Sequence, residues 1–144
     1  MADAPQFARV SQRLPRHRRS VGRARHAFME QAAAWGLDED TARTAELLIA
    51  ELASNAVLAA TGPGREIEVC WTLDPGTGAL LMEVSDAGAG RPVVRTPGVE
   101  DEHGRGMVLV EALADEWGVR ERGGIGKTVW ARVKVGWAEA LTGG

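Results

Sequence analysis

The sequence predicts an α+β domain in two layers, a mixed, mostly antiparallel sheet with about three helices packed on one face. Three observations carry this. Two segments with helical periodicity follow a short N-terminal strand. Two alternating segments, 66–73 and 79–85, are joined by the short turn Asp74-Pro75-Gly76-Thr77-Gly78, so they pair antiparallel. Helices do not alternate with single strands, which excludes a doubly wound parallel sheet.

The elements follow in order. Phe7, Val10 and Leu14 suggest an edge strand that Pro15 ends. Ser20 is the expected N-cap of a first helix, in which Val21, Ala24, Ala27, Phe28, Ala32 and Trp35 recur at helical spacing and Gly36 supplies the stop. Asp38 caps a second helix, with Glu39 and Asp40 in its favourable first turn, running to about Ala60 before Thr61-Gly62-Pro63-Gly64. In the next strand Ile67, Val69, Trp71 and Leu73 share one face. Leu80, Met82 and Val84 do the same in the strand after it. Residues 91–103, with Pro92, Pro97, Gly98 and an acidic run, read as a mobile loop. A third helix is expected from Gly106 to about Trp117. Residues 119–121 and 128–135 close the chain as a hairpin, and Trp137 onward reads as a short tail.

A length of 144 residues fits a single domain, 1–144, with its core at about 7–135. No apolar run approaches the roughly 20 residues that span a bilayer, and no secretory signal opens the chain, so a cytoplasmic location and no membrane partner are expected. Cys70 is the only cysteine, which excludes an internal disulfide and a cysteine-based zinc site; a small packed side chain is the expectation. Charge is unevenly spread. Residues 1–26 hold seven Arg against Asp3, a balance of +6 that leaves −9 for the rest of a chain whose total is −3. Such an arm suits nucleic acid, an acidic protein partner, or plain solvated faces. Aromatic residues do not interleave with the arginines, so no base-stacking platform is present.

Three short segments carry the chemistry. Glu51 and Asn55 lie four apart on the second helix and so project from one face. An amide oxygen can ligate Mg²⁺ without adding charge beside a triphosphate. A carboxylate one turn away can take the proton of an attacking hydroxyl. Either residue alone also fits an ordinary exposed helix face. Asp86 follows a strand and precedes Gly88 and Gly90. Its carboxylate can accept from the exocyclic amine of adenine, where guanine has a carbonyl, and the glycines let backbone approach a flat base; a plain turn is the alternative. Gly104-Arg105-Gly106 precedes a helix, whose free N–H groups suit phosphate, or is simply a helix start. His103 is either a phosphate contact or an exposed side chain. Thr128 is either a base contact or a β-branched strand residue.

Taken jointly, the motifs resemble those of the Bergerat-fold (GHKL) ATP-binding domain of DNA gyrase, histidine kinases and MutL. Within that group the chain is most similar to the stand-alone serine/threonine kinases that act as anti-sigma factors. Glu51-Leu52-Ala53-Ser54-Asn55-Ala56 matches the N box, Asp86-Ala87-Gly88-Ala89-Gly90 the first glycine box, Gly104-Arg105-Gly106-Met107 the second, and Gly126-Lys127-Thr128 the last. The resemblance implies that Asn55 holds Mg²⁺, Glu51 is the general base, and Asp86 binds adenine with support from Thr128. It also implies that Gly88 and Gly90 line the base pocket, that Gly104, Arg105 and Gly106 wrap the phosphates of ATP, and that residues 91–106 form a short lid. The implied partners are an antagonist (anti-anti-sigma) protein as phosphoryl acceptor, a sigma factor, and a second copy of the chain. Two other readings stand beside the kinase: a nucleotide-binding module that sequesters a protein without phosphoryl transfer, and a nucleic-acid binder using the Arg-rich start.

Overall fold

Pro15 ends the first strand and sets the entry to the first helix. A computed structural model describes residues 7–59, 66–86, 107–121 and 126–139, the side chains of Ala59 and Asp86 excepted. Strand β1 spans Ala8–Pro15 and helix α1 spans Arg18–Trp35. The α1 cap is His17, not the expected Ser20. His17 is extended at φ −150, ψ 150, and its Nδ1 accepts from the Arg19 N–H at 3.1 Å. Ser20 is buried one turn further on, where its hydroxyl donates to the Pro15 carbonyl and ties helix to strand. Gly36 ends α1 in the left-handed region at φ 77, which glycine tolerates, and its N–H closes the last turn.

Helix α2 spans Glu39–Ala59, and Ala42, Ala45, Leu48, Ile49, Leu52 and Ala53 form its buried stripe. Strand β2 spans Glu66–Asp74 and β3 spans Ala79–Asp86, paired antiparallel from Ile67↔Asp86 to Asp74↔Ala79. Residues 107–113 form helix α3. Strand β4 spans Glu116–Glu121 and β5 spans Lys127–Lys134. The sheet order is β1-β2-β3-β5-β4, and among the described residues every pairing is antiparallel.

Trp117 was expected at the end of the third helix and lies in β4 instead. The Asp115 N–H donates to the Arg132 carbonyl at 2.9 Å, and Glu116 then pairs with Arg132. Trp117 still packs against the core, now from a strand. The apolar spacing served either geometry, and pairing with β5 selected the extended one.

Alternation gives the sheet two unlike faces. Ile67, Val69, Trp71, Leu73, Leu80, Met82, Val84, Val129, Ala131 and Val133 face the helices and are buried with Phe28, Leu48 and Leu52. At the centre Trp71 meets Phe28 edge-on, with ring centroids 5.5 Å apart at 86°. The other face carries Thr72, Glu83, Ser85 and Thr128, all buried. Glu83 is held there by Arg9 from β1 and Arg120 from β4. Cys70 lies on this face too. It is 3 % exposed, and burial pushes its thiol pKa up, which fits a packed side chain.

Residues 136–138, at the start of the short tail, are tied to the start of α2 and the end of α1. The Asp38 N–H donates to the Gly136 carbonyl at 2.8 Å, the Gly136 N–H to Thr41 Oγ1 at 2.8 Å, and the Ala138 N–H to the Gly36 carbonyl at 2.7 Å. Asp38 Oδ1 meanwhile caps α2 through the Thr41 N–H at 2.8 Å. The two bonds from Thr41 hold the Asp38 carboxyl below its usual pKa. A depressed folded pKa means that the cap contributes at neutral pH and is lost as pH falls through that value. A Cβ on Gly136 would run into the Asp38 carboxylate. Gly136→Val is therefore expected to destabilise the fold by about 1–3 kcal/mol, through overpacking and a displaced cap. Chemical denaturation measures this, and an unchanged midpoint would show the strap to be dispensable.

Candidate functional site

The site is organised by the path of α2 over the sheet. Its start is pinned to the end of β5 through Asp38 and Gly136. From there it packs along β3 and β5. Asn55 lies 17 residues past Asp38, about 25 Å along the axis. Strand β3 advances about 23 Å from Ala79 to Asp86. Helix and strand thus carry Glu51, Asn55 and Asp86 toward one end of the domain, where β3 finishes and β5 begins.

Glu51 and Asn55 differ in exposure. Each step of four residues turns a helix by about 40°. Glu51 is half-buried and shares a stripe with Leu47 and Leu58, which are 49 % and 60 % exposed. Asn55 turns further toward the core and is 9 % exposed. Among the described residues neither side chain makes a hydrogen bond or an ion pair. An amide oxygen with no protein partner, one turn from a carboxylate, is a donor set that fits a hard cation taking its other ligands from phosphate and water.

Asp86 is the last residue of β3, opposite Ile67 in β2. Gly88, Gly90, Gly104, Arg105, Gly106, His103 and the expected lid at 91–106 lie outside the described residues.

Thr128 is placed differently from the expectation. It pairs with Ser85, and the two hydroxyls lie 2.7 Å apart, both buried. Val84 and Val129, one step along each strand, face the helices, so Ser85 and Thr128 face away from them. Thr128 acts on the strand end just before Asp86 and does not share the face of Asn55. Ser85 closed the predicted strand 79–85 but was not among the candidate residues. The signal for it was the alternation of β3, which leaves 83 and 85 as polar positions on one face. Thr128→Val strands the Ser85 hydroxyl and is expected to cost about 1–3 kcal/mol in denaturant melts, with part recovered in Thr128→Val/Ser85→Ala. A neutral single variant would mean that the hydroxyl pair holds nothing together.

A groove of about 790 Å³ lies on the same far face, lined by Phe7, Arg9, Leu81, Glu83, Arg132 and Lys134 among others. None of the described candidate residues, Glu51, Asn55 and Thr128, borders it. Among the described residues no helix is long and apolar enough to cross a membrane.

Residues 14–133 match the family described as Histidine kinase-like ATPase domain. No curated protein matches the chain. Among solved structures, the chain is similar to the crystal structure of the RsbU and RsbW domains of Rv1364c from Mycobacterium tuberculosis, with a TM-score of 0.68 and 20 % identity. That similarity covers 89 % of this chain and 32 % of the other, so this chain spans about a third of that protein's length. At this identity the likeness is one of fold.

Proposed function

Because the chain belongs to the histidine kinase-like ATPase family, we propose that it is an ATP-dependent protein serine/threonine kinase of the anti-sigma factor type. The observation that carries this reading is the pair on α2: a half-buried carboxylate at 51 and a buried, unengaged amide at 55, one turn apart at the end of the sheet where β3 delivers Asp86. The four motif matches support ATP as the substrate.

Each residue then has a stated task. Asn55 presents its amide oxygen to Mg²⁺, which when bound neutralises charge on the phosphate oxygens. Asp86 accepts from the adenine amine, and Thr128 supports it indirectly by holding Ser85. Gly88 and Gly90 let backbone reach the base, while Gly104, Arg105 and Gly106 wrap the phosphates. Glu51 receives the proton of the acceptor hydroxyl as that oxygen bonds to the γ-phosphorus and the bond to the β–γ bridging oxygen breaks, releasing ADP. The exposed Leu47 and Leu58 flank Glu51 and offer an apolar surface to a protein acceptor. The acceptor is a Ser or Thr of an antagonist protein. A sigma factor is the second partner, held when the antagonist is phosphorylated, and two copies of the chain pair.

Calorimetric titration with Mg·ATP tests binding, and incubation with γ-labelled ATP and candidate antagonists tests transfer. Label on an antagonist supports the kinase. Tight nucleotide binding with no label on any of them supports sequestration alone. No heat of binding removes both readings.

A further inference from the structure

Helix α1 combines two locally unfavourable features on its solvent face. Arg18 and Arg19 occupy its first turn, which holds no acidic residue, although a helix N-terminus favours negative charge. One turn later comes Gly22, an interior helical position where glycine is poor. Gly22 is exposed, and a Cβ placed there would meet nothing within 4 Å. It is neither a cap nor a turn, so the packing of this domain does not require it. Arg18, Arg19 and His26 lie three or four residues from it, Arg23 is next to it in the chain, and all four are exposed. Among the described residues, Arg18, Arg19 and Arg23 make no ion pair. The result is a strip of bare helix backbone framed by unpaired guanidinium groups.

We propose that this face docks an acidic helix of a partner protein, whose backbone crosses close to α1 at Gly22 while its carboxylates meet Arg18, Arg19 and Arg23. Absence of a side chain permits the close crossing, and the arginines supply the charge complement. A protein fits better than nucleic acid because acidic groups bound the patch. Glu46 pairs with Arg25 at 3.4 Å, and Glu30 lies 3.5 Å from His26. The remainder of the chain carries −9. A continuous polyphosphate would run onto these carboxylates, whereas a short helix with a few acidic side chains would not. The inference needs neither ATP binding nor phosphoryl transfer.

The test uses the full chain and three fluorescent probes, read by anisotropy at low and high salt. One is an alanine-rich helical peptide of about 20 residues with glutamates spaced at three and four. The second is its glutamine twin, and the third is a short DNA duplex. The acidic peptide is expected to bind at least about tenfold more tightly than either other probe, and to weaken with salt. Arg19→Glu/Arg23→Glu and Gly22→Leu are each expected to lose about tenfold or more of that affinity, and Gly22→Ala less. All three variants favour the helix, so their melting midpoints should equal or exceed that of the wild type, which separates lost binding from lost fold. Equal binding of the glutamine twin, tighter binding of DNA, no binding of the acidic peptide, or unchanged affinity in both Arg19→Glu/Arg23→Glu and Gly22→Leu would each overturn the proposal.

Discussion

Glu51→Gln is expected to leave Mg·ATP affinity within about threefold of wild type while slowing phosphoryl transfer roughly 10²–10⁴-fold, the range that a general base contributes. The substitution keeps the shape of the side chain and removes only its ability to hold a proton. Glu51 is half-buried on an edge stripe and makes no ion pair among the described residues, so the fold should change by no more than about 0.5 kcal/mol. Calorimetry reads the affinity, and single-turnover labelling of an antagonist protein reads the rate. Separating the two matters, because a variant that lost both would point to a pocket defect and not to a missing base. A Glu51→Gln protein that labels its acceptor at the wild-type rate would remove Glu51 from the chemistry. It would also leave positioning and the cation as the sources of rate.

What the sequence made legible follows the range of the interactions involved. The second helix, the 66–74 and 79–86 strands and their turn are set by local periodicity and turn chemistry, and they were read nearly residue for residue. The cap of α1 was misread because Ser20 is a good capping residue in isolation, while its hydroxyl is drawn to the Pro15 carbonyl by the preceding turn. Trp117 was misplaced because its burial suits a helix or a strand equally; the choice lay with Arg132, 15 residues further on. The hairpin of β4 with β5 was legible, but the place of β5 beside β3 was not, since that pairing is long-range. The same limit applies to the site. The spacing of Glu51 and Asn55 reports that they share a helix face, yet only packing shows that one is half-exposed and the other 9 % exposed. Thr128 shows it most clearly: motif position puts it in the pocket, whereas strand parity turns its hydroxyl to Ser85 on the other face.

Asn55→Ala is expected to weaken Mg·ATP binding by about 100-fold or more, which corresponds to roughly 2.7 kcal/mol, with little change in stability. The two expectations are linked. A buried amide normally contributes to a fold through hydrogen bonds. That of Asn55, which is 9 % exposed, has none among the described residues, so its removal strands no partner and leaves only a small void. The same lack of partners is what leaves its oxygen available to a cation. Were the residue structural instead, the pattern would invert, with a lowered denaturation midpoint and nucleotide binding intact. Asn55→Asp sharpens the distinction. It retains an oxygen donor of similar size, so a role defined by shape alone would be preserved. It also adds a negative charge beside a triphosphate and removes an N–H₂ donor, so ATP affinity should still fall, with a larger share recovered as Mg²⁺ is raised. Titrations of both variants over a range of Mg²⁺ concentrations measure this. Wild-type affinity in Asn55→Ala at every concentration would remove Asn55 from the metal site and, with it, the strongest link between α2 and the nucleotide.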